Sequence, residues 1–60
     1  MIVIESPSLF HQQWRVWIED RHGAESLVEY RDTRADALDQ AHTWRTELHE
    51  RGLTIRSDET

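Results

Sequence analysis

Residues 33–52 hold the strongest periodic pattern of this 60-residue chain. Thr33 is a favourable N-cap, and Asp36 completes a capping box three positions later. Apolar residues then recur at helical spacing, at Ala37, Leu38, Ala41, Trp44 and Leu48. This pattern predicts a helix from Arg34 to Arg51, with Gly52 as its left-handed cap. Because such a helix must bury its apolar stripe, the remaining residues must supply a surface for it.

Three other segments favour strands. Residues 1–5 form a short β-branched run that ends at a Ser-Pro-Ser sequence. Residues 25–31 alternate and are rich in β-forming types, so that Val28 and Tyr30 are expected on one side. Residues 53–56 are compatible with a short last strand.

The segment 7–20 has two interpretations. As a helix, it would place four apolar residues on one face: Phe10, Trp14, Trp17 and Ile18. As a strand, it would place Trp14, Val16 and Ile18 on one face, and Arg15, Trp17 and Glu19 on the other. Its β-favouring composition, the glycine-containing turn after it, and the need of a sheet for about three strands favour the strand. The helix remains the alternative.

The strand interpretation predicts an α+β fold. A small antiparallel sheet of about three strands, at about 1–5, 12–20 and 25–31, is built around a ββ-hairpin core. A single C-terminal helix covers one of its faces. Residues 1–56 form one domain, and residues 57–60 are a polar tail. The expected core consists of Ile2, Ile4, Trp14, Val16, Ile18, Val28, Tyr30, Ala37, Leu38, Ala41, Trp44 and Leu48.

Composition excludes several classes of protein. The net charge is −5, and all seven basic residues are arginine, which argues against a general nucleic-acid binder. The chain has no cysteine, so it forms neither a disulfide nor a thiolate zinc site. It has no membrane-spanning run and no signal-peptide pattern, so a cytoplasmic location is expected.

The segments "WRV", "AESLVEY" and "DTRADALDQA" resemble a family of short bacterial domains of unknown function. The pattern of that family is a tryptophan-valine strand, a hairpin and a threonine-capped helix. The resemblance covers residues 13–52 and implies the order β-β-α, with no catalytic residues to transfer. In size and acidity the chain is also similar to phage-encoded inhibitors, including anti-CRISPR proteins.

The sequence lacks the patterns that catalysis or metal binding requires. His42 and His49 are separated by about 10 Å along a helix, too far to share one ion. Its serines stand in no nucleophile motif, and its glycines form no phosphate-binding loop. We therefore expect no enzyme activity, no cofactor and no bound metal.

A binding surface is the remaining candidate, and we expect it on the open face of the sheet. Trp17 is predicted to project there beside Leu27, within a set of charged residues: Arg15, Glu19, Glu29 and Arg31. Large aromatics and arginines dominate binding energy at interfaces. Two alternatives stay open: Trp17 covers Leu9 or Phe10, or it is buried in a homodimer.

The exposed side of the helix offers a second surface with an acidic bias, through Asp36, Asp39, Glu47 and Glu50. Such acids can dock on a basic groove that normally receives nucleic acid. The expected function is therefore a small non-enzymatic protein-binding module, of the kind found among phage inhibitors, whose partner is a basic nucleic-acid-handling complex. The alternatives are a weak nucleic-acid-binding accessory domain and a homodimeric structural protein.

Overall fold

The computed structural model describes residues 1–47 and 54–58. The elements follow the order β1 (Ile2–Glu5), β2 (Trp14–Glu19), β3 (Glu25–Arg31), α1 (Arg34–Glu47) and β4 (Ile55–Asp58). The α+β class is therefore confirmed, with one sheet and one helix. No helix within the described ranges is long and apolar enough to cross a membrane.

The sheet differs from the predicted one in its number of strands. It has four strands in the order β3-β2-β1-β4, and β4 pairs with β1 in parallel. The sheet is therefore mixed, and the helix lies in the middle of the chain rather than at its C-terminal end. Ser57 and Asp58, which the sequence analysis assigns to the polar tail, lie in β4.

The segment 14–19 is a strand, as its β-favouring composition predicts. It pairs antiparallel with β1 on one side and with β3 on the other. The turn between β2 and β3 is organised by Asp20, whose carboxylate accepts bonds from the backbone N–H groups of His22 and Ala24. Gly23 has a φ of 84° there, a conformation that side chains disfavour.

The predicted N-terminal end of the helix is confirmed. Thr33 Oγ1 accepts a hydrogen bond of 3.1 Å from the Asp36 backbone N–H, as an N-cap residue should. α1 extends through Glu47. The remaining predictions for this segment, which include the end at Arg51 and the cap at Gly52, lie outside the described residues.

The helix packs on one face of the sheet, which we call the helix face. Its core contains Ile2 and Ile4 from β1, Val16 from β2, and a stripe of Ala37, Ala41 and Trp44 from α1. Trp14, Ile18, Leu38 and Ile55 are partly buried against this core. Two of the three buried residues of α1 within its described range are therefore alanines, and Trp44 is the large one.

The predicted contribution of β3 to this core is wrong. Val28 is 37% exposed and Tyr30 is 49% exposed. The register between β2 and β3 shifts between Val16 and Ile18, and Leu27 at this irregularity has a φ of 51°. β3 has one more residue than β2 at this irregularity, so the side chains that follow it alternate in the opposite sense. Tyr30 therefore stands opposite Arg15, on the face of the sheet away from the helix.

The packing of α1 on β1 leads to a stability prediction. Replacing Ile4 by Ala leaves a cavity beneath the helix, so we expect the free energy of unfolding to fall by about 2–5 kcal/mol. The whole free energy of unfolding of a chain of this length is only about 3–9 kcal/mol, so this loss should be readily measured by urea denaturation. Thr43→Ala, on the exposed side of α1, is the control and should change stability by at most about 0.5 kcal/mol. Equal effects of the two variants would contradict the described core.

Candidate protein-binding surface

The sheet face opposite the helix, which we call the open face, has its own buried centre. Val3 of β1 stands opposite Trp17 of β2, and both are inaccessible: Val3 is fully buried and Trp17 is 3% exposed. Trp17 lies on the face predicted for it. Its predicted exposure is nevertheless wrong, because charged side chains cover it, and it does not serve as an exposed interface anchor.

Arg15 is the main cover of this indole. Its guanidinium carbon lies 4.3 Å from the centre of the Trp17 ring, a cation–π contact. The same guanidinium forms an ion pair with Glu25 and lies 3.7 Å from a Glu5 carboxylate oxygen. Its Nε is buried and has no hydrogen-bond partner in residues 1–47 and 54–58. Carboxylates from the strands on either side of β2 thus hold the guanidinium over the ring.

Glu19 also contacts the indole, through its carboxylate. Trp17 Nε1 donates to Glu19 at 3.4 Å, and Arg56 of β4 reaches the same carboxylate at 3.5 Å. Arg56 also pairs with Asp58 at 3.2 Å. Arg15 and Glu19, both predicted to bind a partner, therefore make intramolecular contacts that close the open face over Trp17.

Glu29 and Arg31 lie on the opposite side of the sheet from this network. They stand opposite Val16 and Trp14, residues of the helix face. Arg31 donates to the side-chain oxygen of Gln40 on α1 at 2.6 Å and lies 3.4 Å from Glu29. Of the four charges predicted around Trp17, Arg15 and Glu19 are therefore present, whereas the irregularity at Leu27 directs Glu29 and Arg31 toward the helix.

The acidic side of the helix is present as predicted, to the extent that it is described. Asp36, Asp39 and Glu47 are exposed on α1, whereas Glu50 lies outside the described residues. In the described ranges of the chain, these three carboxylates form no ion pair. Asp39 lies on the side of α1 opposite the buried stripe, whereas Asp36 and Glu47 lie at the flank of that stripe.

The structure reveals a surface that the sequence analysis missed. Leu27, Val28 and Tyr30 are exposed on β3, which is an edge strand of the sheet. We call these three residues the β3 apolar strip. Leu27 was predicted for the site, whereas Val28 and Tyr30 were assigned to the core by their alternation. A signal for the irregularity at Leu27 is not visible in a sequence without glycine at that position.

The described part of the chain contains no candidate metal-binding site. No cluster of three or more His, Asp or Glu side chains there is suitable for an ion. A shallow depression of about 320 Å³ on α1 is lined by His42, Thr43, Thr46 and Glu47. It combines one imidazole and one carboxylate with two hydroxyls and lies on the exposed side of the helix.

Comparisons of the chain with protein-family models, with curated proteins and with solved structures find no match.

The cover over Trp17 can be tested directly. Replacing Arg15 by Ala removes the cation–π contact and exposes the ring, so we expect a loss of about 1–2 kcal/mol in the free energy of unfolding. With 5-fluorotryptophan at the three tryptophans, the ¹⁹F resonance of Trp17 should become sensitive to exchange of H₂O for D₂O. Arg45→Ala, on the exposed side of α1, should leave that resonance unchanged. A Trp17 resonance that stays insensitive in the Arg15 variant would contradict the assigned role of Arg15.

Proposed function

We propose that this chain is a non-enzymatic protein-binding module that docks through the β3 apolar strip. The observation that supports the proposal is the exposure of Leu27, Val28 and Tyr30 on an edge strand. A chain of this size buries only about 60% of the surface that it exposes when unfolded, so each apolar residue that it buries contributes noticeably to its stability. Leaving three of them in water at one edge favours a role in binding.

An edge strand offers a partner two kinds of contact. Its outer backbone N–H and C=O groups are available to another strand, and its side chains project alternately to either side. Tyr30 combines a large apolar ring with a hydroxyl, a combination that is enriched at protein interfaces. Backbone pairing would supply affinity, and the strip would supply specificity.

The charge of the chain indicates the type of partner. With a net charge of −5 and three exposed carboxylates on α1, those of Asp36, Asp39 and Glu47, the chain is attracted to a basic protein surface. A basic nucleic-acid-handling complex is such a surface. The proposal thus places the chain among small regulators that act by docking, in the manner of phage-encoded inhibitors such as anti-CRISPR proteins, which it is similar to in size and acidity.

The two alternative functions differ in their support. Binding of single-stranded nucleic acid would need a positively charged groove beside exposed aromatic residues, whereas Tyr30 and Phe10 are exposed on a chain with a net charge of −5. A homodimer is favoured by one observation, the position of β3 at the edge of the sheet, and it is an outcome of the test below.

The test compares Val28→Ser/Tyr30→Ser with the control Thr43→Ser/Thr46→Ser, which changes two exposed positions of α1. Proteins captured by the tagged wild-type chain from its host extract are identified, purified and titrated. We expect the β3 variant to weaken the dissociation constant by about tenfold or more, since apolar and aromatic anchors dominate such interfaces. Added salt should weaken the affinity of the wild-type chain, because opposite charges attract the partners.

Two results would contradict this proposal. One is a purified partner whose affinity is the same for the β3 variant and for the control. The other is sedimentation of the wild-type chain as a dimer that the β3 variant abolishes, which would assign the strip to self-association.

A further inference from the structure

The loop between β1 and β2 carries two adjacent apolar side chains in full contact with water. Leu9 is 101% exposed and Phe10 is 97% exposed. Neither side chain is covered by Trp17, an arrangement that the sequence analysis left open. They form the end of the loop, and we call this pair the loop tip.

The loop that bears the tip is held by hydrogen bonds on both sides. The Ser8 backbone N–H donates to the His11 carbonyl oxygen at 2.7 Å, and the Phe10 N–H donates to Ser8 Oγ at 3.1 Å. Leu9 and Phe10 are therefore the two central residues of a closed four-residue turn. Their side chains point away from a fixed backbone.

His11 ties this turn to the sheet. Its Nε2 lies 2.8 Å from a carboxylate oxygen of Glu5, and its Nδ1 lies 2.8 Å from the carbonyl oxygen of Gln13. The ring thus contacts one oxygen acceptor through each of its two nitrogens. Glu5 belongs to β1 and Gln13 precedes β2, so the imidazole bridges the two ends of the loop.

Leucine and phenylalanine are unusual residues for the central positions of a turn. Gly, Asn, Asp, Ser and Pro dominate such positions, because they adopt turn conformations easily and hydrogen-bond within the turn. Leucine and phenylalanine contribute neither property, and they have no contact in the core. Positions at which a local rule is broken without a structural gain are those at which a function is expected.

We propose that the loop tip is a docking element that inserts Leu9 and Phe10 into an apolar pocket of a folded protein partner whose rim is basic. It extends the proposed binding function to a second surface and uses none of the residues of the β3 apolar strip. The turn fixes the backbone before binding, so less conformational freedom is lost on insertion than from a flexible loop.

Charge selects a protein pocket over a lipid surface. The chain carries a net charge of −5, so an anionic membrane repels it. Near the base of the loop, the guanidinium of Arg15 is already engaged by Glu5 and Glu25. At that base Gln13 also holds the Asp32 carboxylate at 2.8 Å, which adds negative charge. A basic rim around an apolar pocket complements this arrangement.

The experiment uses the photo-crosslinker p-benzoylphenylalanine, placed at Phe10 of the full chain in host cells and, as a control, at Thr43 on α1. The protein crosslinked from position 10 is identified and purified, and its affinity is measured for the wild type, for Leu9→Ser/Phe10→Ser and for Gln12→Ser. Since both residues of the tip are exposed, the double variant should keep the unfolding midpoint of the wild type. We expect its dissociation constant to be about tenfold weaker or more, and that of Gln12→Ser to be unchanged.

The same variants are also mixed with vesicles of phosphatidylcholine and phosphatidylglycerol. The proposal is overturned by vesicle binding that depends on the tip, by crosslinks to a second copy of the chain, or by equal crosslinks from positions 10 and 43. An affinity that the double variant leaves intact overturns it as well. Val28→Ser/Tyr30→Ser, measured in parallel, separates failure of the tip from failure of the β3 apolar strip.

Discussion

The contact between Arg15 and Trp17 allows a sheet with one helix to bury apolar residues on both of its faces. Val3 and Trp17 lie on the side away from α1, and within residues 1–47 and 54–58 no second layer of secondary structure covers them there. A planar guanidinium, fixed by carboxylates of β1 and β3, takes the place of that layer. The aliphatic stem of the arginine also covers apolar surface while its head remains partly hydrated. In a chain whose stability is marginal, this second buried centre is a substantial part of the structure.

The features of the fold that depend on residues close together in the sequence could be predicted. The start of the helix follows from Thr33, and the strand at 14–19 follows from its β-forming residues and the turn after it. The side of β2 on which Trp17 lies was also predictable, since alternation along a regular strand fixes it. The alternation does not predict whether Trp17 is exposed, because the side chain that covers it, Arg15, is held by carboxylates on other strands. The parallel pairing of β4 was missed for a similar reason, since it joins opposite ends of the chain.

The candidate site was predicted less well than the fold, and one backbone irregularity explains much of the difference. A single extra residue at Leu27 exchanges the two sides of β3. It brings Glu29 and Arg31 to the helix face and leaves Val28 and Tyr30 exposed. The charges expected to recognise a partner are used within the fold, and apolar residues expected in the core are in water. The surfaces available for binding are therefore the edge of the sheet and the end of a loop, rather than the centre of the open face.

The parallel pairing of β4 with β1 affects how the chain avoids aggregation while it folds. β1 is an interior strand of apolar, β-branched residues, and β4, the last described element, completes its second edge. Nearly the whole chain separates the two strands, so this pairing has a higher loop-closure cost than the pairing of β1 with β2 or of β2 with β3. Without β4, the edge of β1 next to Ile2 and Ile4 is a template for strands of other molecules. The short polar strand β4, with Arg56 and Asp58 on the open face, then replaces that edge with a charged one.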